Sequence, residues 1–381
     1  MFRKLTSVCK LSSFPVIIRS IRSFSESKIS KKNSLGIISK EDASEFSAFF
    51  PKIVEDVVDQ KLISSVPEVN KRITKLLNFN FTQGSHVASH LFLNCYKFLE
   101  TYNGTFDAHK KNVAFKMAWC VEIMSGMALI IDDILDHAEE RRGEKTWYKL
   151  EGPQALCDAF LLRSGSLLLL EKYFSHKENY DQIRSTIITT ELDAAIGETL
   201  QFELNCIESF TIENFRKIAK YKTTAMAFYA PIKLACLLSN QNINLDDSNS
   251  YSVLNELGIL YQIQNDFKDC FRENSLVEVR NDIQNNICTI LIAMAMKKGS
   301  VEQRKTLLDC YGNHEAEKVN MVKAIYKELD LENEYGKYKE KSRSLIFREF
   351  SEIQDDLTRK LLQHYASLIF SQFKNEMFCV I

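Results

Sequence analysis

Two short acidic segments contain the residues whose types and spacing could do chemistry. The first reads Asp132-Asp133-Ile134-Leu135-Asp136-His137-Ala138-Glu139-Glu140-Arg141-Arg142-Gly143. On a helix, positions i, i+1 and i+4 lie on one side, so Asp132, Asp133 and Asp136 present their carboxylates together. Such clustered like charges are unfavourable unless cations neutralise them. Because Mg²⁺ takes oxygen ligands and completes its shell with water and phosphate, the segment predicts a magnesium site. Arg141 and Arg142 follow closely and could hold phosphate oxygens with their forked donors.

The second segment reads Gln262-Ile263-Gln264-Asn265-Asp266-Phe267-Lys268-Asp269. Asn265, Asp266 and Asp269 repeat the i, i+1, i+4 spacing, and Glu273 extends a stripe of oxygen ligands by one more turn. One acidic helix end is usually a solvated face and indicates little. Two such ends about 130 residues apart, each following an apolar helical run, predict one shared site.

The elements that position these segments are predicted to be long helices. Only 5 prolines and 12 glycines occur in 381 residues, so turn signals are scarce. Apolar residues recur at three- and four-residue spacing through segments 113–131, 155–173, 185–205 and 253–271, which is typical of amphipathic helices. We therefore expect an all-α domain over residues 40–381, with long antiparallel helices around a central cavity.

Composition excludes several classes of protein. The net charge of −1 gives no reason to expect nucleic acid or an anionic membrane surface as a partner. The apolar stretches are interrupted by charges, so no membrane span is predicted. Ten cysteines are scattered without a CxxC pair, which favours free thiols over a disulfide framework or a zinc site.

Both segments resemble the motifs of a known family. The first, followed by Arg141-Arg142-Gly143, is similar to the first aspartate-rich motif of the trans-isoprenyl diphosphate synthases, and the second resembles that of farnesyl diphosphate synthases. Between them, Lys222-Thr223 resembles the Lys-Thr element of the family. The resemblance implies the all-helical isoprenoid synthase fold, a homodimer, and three Mg²⁺ ions that bridge both motifs to an allylic prenyl diphosphate.

The same resemblance implies a role for each site residue. The metal ligands would be Asp132, Asp133, Asp136, Asn265, Asp266, Asp269 and Glu273. Arg141 and Lys222 would act in catalysis by neutralising the diphosphate, and Arg142, Thr223 and Gln262 would help to bind the substrate. Met127 and Ala128 stand where farnesyl-producing members carry bulky aromatic residues, which implies a deeper pocket floor.

The chain departs from the family in the pocket for the second substrate, isopentenyl diphosphate. Ser85 and Ala88 stand where the family has lysine and arginine, and Glu278 stands where a later lysine is expected. Each charge-assisted hydrogen bond is worth about 1.5–3 kcal/mol, so this pocket is expected to bind its diphosphate weakly. His86, Lys111 and Arg280 are candidate replacement cations.

These departures favour a class I terpene synthase that ionises farnesyl diphosphate and converts the cation to a sesquiterpene, as in insect terpene synthases derived from this family. The alternative is a short-chain isoprenyl diphosphate synthase, that is, a prenyltransferase. A second alternative is a non-catalytic subunit that modulates a true synthase.

The start of the chain predicts a mitochondrial location. Residues 1–25 carry five basic residues, six serines and no acidic residue. This composition is typical of a transit peptide, which we assign to residues 1–30.

Overall fold

The protein folds into a bundle of helices. Its structure, a computed structural model, describes residues 38–82, 84, 86–141, 144–271 and 282–377. The helices are α1 (Lys40–Ala48), α2 (Phe50–Val58), α3 (Lys61–Ser64), α4 (Pro67–Phe81), α5 (Val87–Tyr102), α6 (Ala108–Leu135), α7 (Trp147–Glu151), α8 (Ala155–Phe174), α9 (Tyr180–Glu203), α10 (Ile212–Ala219), α11 (Ala230–Leu238), α12 (Ser248–Phe271), α13 (Ile290–Lys298), α14 (Val301–Cys310), α15 (Ala316–Glu328), α16 (Leu331–Glu352) and α17 (Asp356–Met377).

Short elements connect these helices. A π-helix (Lys220–Tyr229) joins α10 to α11, and 3₁₀ turns occupy Gly152–Gln154 and Ile207–Ser209. A two-residue antiparallel hairpin, β1 (Glu140–Arg141) with β2 (Glu144–Lys145), follows α6. The predicted all-α class is confirmed, because this hairpin is the extent of the sheet in the described residues.

Helix α6 is the central element of the fold. The Asp107 side chain caps its start by accepting a hydrogen bond from the Lys110 amide. It packs along α8 and against α5, and its apolar residues contribute to the main hydrophobic core. By length and hydropathy α6 could cross a membrane, but 72% of its most apolar window is buried inside the fold, which is the behaviour of a core helix.

A second, smaller core lies under the C-terminal helices. It is formed around Phe215 of α10, Ile292 of α13 and Tyr326 of α15. Asp266 of α12 connects this region to the acidic segment, because its Oδ2 accepts a hydrogen bond of 3.0 Å from the amide of Ile290 at the start of α13. The second core therefore supports the helix end that carries the second acidic segment.

Candidate active site

The first acidic segment lies at the C-terminal end of α6. The helix ends at Leu135, Asp136 is its C-cap, and His137 adopts a left-handed backbone with φ of 52°. The C-terminus of a helix carries partial negative charge, so carboxylates there are doubly unfavourable. The segment therefore requires cations close by, and the structure supplies two.

The first cation is the Arg141 guanidinium. It stands on β1, and the hairpin turns its side chain back onto the helix end. Nη2 lies 2.8 Å from Asp132 Oδ2, and Nε donates to Asp133 Oδ1 over 2.8 Å. Asp133 is buried, and its carboxylate is held by the hydrogen bond from Arg141. Arg142 lies outside the described residues.

The second cation is the Lys222 ammonium, which comes from the π-helix. Its Nζ lies 2.8 Å from Asp132 Oδ1 and 3.9 Å from Asp136 Oδ2. It also lies 3.0 Å from Glu198 Oε2 and donates to Gln201 Oε1 over 3.1 Å. Burial alone would lower the pKa of this ammonium, but the surrounding carboxylates outweigh burial and raise the pKa above its usual value. Lys222 is therefore positively charged and can bind an anion.

Two glycines allow the π-helix to approach its neighbours. A Cβ at Gly197 of α9 would lie 2.4 Å from the Lys222 backbone nitrogen. A Cβ at Gly258 of α12 would lie 2.3 Å from Thr224 Oγ1. Since real side chains do not approach so closely, glycine at both positions allows α9 and α12 to pack directly against the π-helix that carries Lys222.

The second acidic segment is linked to the π-helix through hydrogen bonds. Thr223 Oγ1 donates to Gln262 Oε1 over 2.6 Å, and Gln262 Nε2 donates to Asp266 Oδ1 over 2.9 Å. Both carboxylate oxygens of buried Asp266 thus accept hydrogen bonds from the protein. Asp266, which the sequence predicts as a metal ligand, is thereby held in a fixed orientation between α12 and the start of α13.

The remaining predicted ligands are placed in part. Asn265 is half-buried on α12. Glu273 and the side chain of Asp269 lie outside the described residues. Asn285, which follows the second segment, donates from Nδ2 to the Asp136 backbone oxygen over 2.7 Å. This bond brings the chain after the second segment against the first one.

Sequence reasoning missed three residues of this network: Glu198, Gln201 and Asn285. Gln201 Nε2 donates a hydrogen bond to Asp136 Oδ1 over 3.1 Å, and Gln201 Oε1 accepts one from Lys222 Nζ. A single glutamate and a glutamine near the C-terminal end of α9 look like a solvated face, so their residue types carried no signal. The i, i+3 spacing of Glu198 and Gln201 was the one available clue.

The donor set fits magnesium that arrives together with a phosphate. Within the parts of the chain that the structure describes, no three His, Cys, Asp or Glu side chains converge as a preformed metal cage. Mg²⁺ usually binds through one or two carboxylates and keeps water and substrate phosphate as its other ligands. Asp132 and Asp136, at the open end of α6, offer carboxylates of this kind.

The metal-free protein is expected to lose stability as the pH rises from about 4 to about 7. Burial, reinforced by Asp132, raises the pKa of the Asp136 carboxyl to about 7. A carboxyl with a raised folded-state pKa stabilises the fold below its unfolded value, and that contribution is lost as the pH rises through the folded pKa. The free energy of unfolding should fall by on the order of 4 kcal/mol between pH 4 and pH 8, measured with urea in the presence of a chelator.

The control for this pH effect is Asp136→Asn, which should remove most of the dependence. Mg²⁺ should also suppress it, because a metal ligand must be deprotonated. A metal-free wild-type protein that is equally stable at both pH values would contradict the assignment.

The region expected to bind the second substrate is partly described. His86 Nδ1 lies 2.9 Å from Glu122 Oε1, and Ser89 donates to the other oxygen of the same carboxylate. Lys111 pairs with Asp42 at 2.9 Å and with Glu45 at 2.7 Å. Both candidate replacement cations are thus engaged by carboxylates. Ser85, Glu278 and Arg280 lie outside the described residues.

The predicted pocket floor lies on α6, one turn before the acidic segment. Met127 is buried and Ala128 is half-buried, and both belong to the main core. Gly126 beside them is covered by the Phe81 ring, which occupies the space of a side chain at that position.

Comparison with known proteins identifies the family. The model of the polyprenyl synthetase family matches residues 70–329. A farnesyl pyrophosphate synthase of Murgantia histrionica is 31% identical over 330 residues, which cover 85% of this chain and 80% of that protein. The farnesyl pyrophosphate synthase of Gallus gallus is 29% identical over 90% of this chain and 96% of its own length. The solved structure of T. brucei farnesyl diphosphate synthase complexed with bisphosphonate BPH-721 has a TM-score of 0.78 at 20% identity and covers 86% of this chain.

An acidic helix end held against two cationic side chains, Arg141 and Lys222, fits an enzyme class that handles diphosphates with divalent metal. The chain belongs to the polyprenyl synthetase family, whose members use Mg²⁺ and prenyl diphosphate substrates. The resemblance drawn from the sequence motifs and the predicted isoprenoid synthase fold are both confirmed.

The prediction of a terpene synthase, a lyase that makes a sesquiterpene, is wrong. The curated relatives that match over 85–90% of the chain are farnesyl pyrophosphate synthases, which are prenyltransferases. That is the alternative that the sequence left open. The prediction relied on charge lost at three positions, but a diphosphate pocket sums the field of several elements, so individual side chains are poor guides to whether it works.

Proposed function

We propose that the protein is a magnesium-dependent prenyltransferase, which joins an allylic prenyl diphosphate to isopentenyl diphosphate. The carrying observation is the Lys222 ammonium held between Asp132 and Glu198 and linked through Thr223 and Gln262 to the second acidic segment. The relatives named farnesyl pyrophosphate synthase support a short-chain product.

The reaction breaks the C1–O bond of the allylic substrate and releases diphosphate. The new carbon–carbon bond forms between C1 and the terminal alkene carbon, C4, of isopentenyl diphosphate, which leaves a cation at C3. Loss of a proton from C2 then forms the new double bond. Lys222 and Arg141 bind and neutralise the departing diphosphate, which lowers the barrier most where its charge develops. Bound magnesium polarises the phosphate oxygens. We propose three Mg²⁺ ions, held by Asp132, Asp136, Asn265, Asp269 and Glu273, with Asp133 and Asp266 in support.

The test incubates the full chain with Mg²⁺ and geranyl diphosphate, with and without isopentenyl diphosphate. Diphosphate products and volatile products are analysed separately. A longer prenyl diphosphate that forms only when both substrates are present, and that disappears with a chelator, is the expected result. Release of inorganic diphosphate without a longer prenyl chain would overturn the proposal.

Product length is expected to respond to Ala128. This residue is small and half-buried on α6, one turn before Asp132. In Ala128→Phe, the ring should occupy the space beneath the growing chain and shorten the longest product by one five-carbon unit, measured by chromatography of the dephosphorylated products. Ala128→Ser, which changes polarity with little volume, is the control. An unchanged product distribution in Ala128→Phe would place the floor elsewhere.

A homodimer is proposed on the basis of an exposed apolar patch on α8 and α9. Leu156 and Phe160 are 47% and 70% exposed, and Ile188 and Leu192 are 38% and 59% exposed. The Arg163–Glu191 ion pair of 2.8 Å holds the two helices together beside these residues, so the four side chains form one surface. Contiguous exposed apolar surface of this kind marks protein interfaces.

Phe160→Asp is expected to convert the dimer to a monomer, because it places a charge in the centre of this patch. Sedimentation velocity or light scattering measures the change. Val301→Asp is the matched control, since Val301 is also 70% exposed but lies on α14. A wild-type protein that is already monomeric would contradict the proposal.

We also propose that the protein acts in mitochondria. The support is the basic, serine-rich composition of residues 1–25, which lie outside the described residues. Residues 1–37 fused to a fluorescent protein should direct it to mitochondria, and replacing the five basic residues with glutamine should abolish this. A cytosolic signal from the unmodified fusion would reject the location.

A further inference from the structure

The Lys222 ammonium has a carboxylate neighbour that belongs to neither acidic segment. Glu198 stands on α9, and its Oε2 lies 3.0 Å from Lys222 Nζ. Only 17% of the Glu198 side chain is exposed. A carboxylate loses much of its hydration at such a place, so its retention requires a specific partner. Lys222 is that partner.

The charges around Lys222 do not balance in the metal-free protein. The Lys222 ammonium faces the carboxylates of Asp132, Asp136 and Glu198. Arg141 adds a second cation but pairs with Asp132 and with a fourth carboxylate, Asp133, so the anions still outnumber the cations. Under the proposed function, metal ions bind Asp132 and Asp136, so those two carboxylates become less available to Lys222. Glu198 then remains as the charged group that can keep the ammonium in place.

The backbone of α9 also contacts Lys222. Gly197 lies directly against the Lys222 backbone nitrogen, and Glu198 is the next residue along the helix. Gln201, one turn further, accepts a hydrogen bond from Lys222 and donates to Asp136. The helix therefore contacts Lys222 both at the backbone and at the ammonium.

We propose that Glu198 is a positioning residue, which holds the Lys222 ammonium towards the diphosphate once metal ions occupy Asp132 and Asp136. This inference rests on the proposed function for its ligand class, a diphosphate bound with magnesium. Pre-positioned charge stabilises an anion without the cost of rearranging side chains during the reaction. Removing Glu198 should therefore release Lys222 and weaken binding.

The direction of the effect separates positioning from simple electrostatics. Glu198 is an anion near a site for an anion, so by Coulomb's law its removal alone should tighten diphosphate binding. A positioning role predicts the opposite sign. The measurement is isothermal titration of the full chain with inorganic diphosphate at saturating Mg²⁺.

The experiment is a double-mutant cycle of Glu198→Gln and Lys222→Met. Glu198→Gln is expected to weaken binding about tenfold when Lys222 is present, and less than about twofold in the Lys222→Met background, because residues that act through each other are non-additive. Should Lys222→Met fail to fold, as judged by circular dichroism, Lys222→Gln replaces it in the cycle.

Glu191→Gln is the matched control. Glu191 lies two turns earlier on α9, on the same side of the helix, but its partner is Arg163. The Glu191→Gln substitution removes the same charge from the same helix and should leave diphosphate binding unchanged. An equal loss in Glu191→Gln would show a general effect on the helix and would overturn the proposal.

Three further results would overturn it: tighter binding in Glu198→Gln, no change, or an equal loss in both Lys222 backgrounds. The readout is independent of the chemical step. A protein that binds magnesium diphosphate in a Glu198-dependent manner but makes no longer prenyl diphosphate would reject the proposed function and leave this inference standing. Prenyl transfer that is unaffected in Glu198→Gln would support the proposed function and reject this inference.

Discussion

Replacing Lys222 with methionine is expected to lower the rate of prenyl transfer by about 100- to 1,000-fold, the range found when one preorganised group that stabilises developing charge is removed. The Lys222 side chain is 21% exposed and lies 2.8 Å from Asp132 and 3.0 Å from Glu198, so a neutral replacement would leave these carboxylates without its charge. The loss should fall mainly on kcat, because the departing diphosphate carries more charge at the scissile oxygen than the bound substrate does. Steady-state kinetics with both substrates measures it.

The control for Lys222→Met is Lys220→Met. Lys220 stands on the same π-helix, but its ammonium lies over the rings of Tyr221 and Tyr251, away from the acidic helix end. It should retain activity within about threefold, since cation–π contacts at such sites contribute on the order of 1 kcal/mol. A Lys222→Met enzyme that keeps most of its turnover would remove Lys222 from the mechanism.

Asp158→Asn is expected to destabilise the protein by about 3 kcal/mol, because breaking one side of a buried ion pair leaves a charge without its counter-ion. Asp158 is fully buried, and it accepts hydrogen bonds from Arg72 Nε at 2.7 Å, from Arg72 Nη2 at 2.5 Å and from Trp147 Nε1 at 2.7 Å. Glu151 keeps its contact of 3.0 Å with Arg72, which limits the loss. Chemical denaturation at neutral pH measures the change.

Glu55→Gln is the comparison for Asp158→Asn. Glu55 also pairs with a cation, Lys52, but both side chains are more than half exposed. Such surface pairs contribute about 0–1 kcal/mol, so little change is expected. Equal effects at both positions would mean that burial does not determine the strength of these pairs.

The fold was predictable because its signals are local. Scarce proline and glycine and three- to four-residue apolar spacing indicated helices, and the structure has them at α6, α8, α9 and α12. The aspartates of the first segment were likewise visible as charged residues after an apolar run, whereas Lys222 was identified only through the resemblance to the Lys-Thr element of the family. The spacing of residues along the chain indicates which side chains share one face of a single helix.

The rest of the site depends on contacts between distant parts of the chain, which spacing does not encode. Glu198 lies beside Lys222 because α9 packs on the π-helix, and Asp266 is oriented by the amide of Ile290. Arg141 reaches Asp132 because a hairpin reverses the chain, whereas the sequence suggested only a nearby cation. Each depends on tertiary packing.

The functional prediction failed for a related reason. Ser85, Ala88 and Glu278 were read one by one as lost contacts to a second diphosphate. Similarity that spans 85–90% of the chain averages over the whole active-site framework and points to prenyl transfer. A few charges are easily exchanged during divergence, whereas a framework is not.

The π-helix from Lys220 to Tyr229 makes this active site sensitive to chain length as well as to side-chain chemistry. A π turn holds one more residue than an α turn over the same backbone span, so a single-residue deletion within it would relax the segment to an ordinary α-helix. The flanking helices would keep their phase, because the π turn had only accommodated the extra residue. The residues inside the segment would change their angular positions, so a deletion outside Lys222 and Thr223 would remove no functional group and yet move these two side chains relative to Asp132 and Gln262.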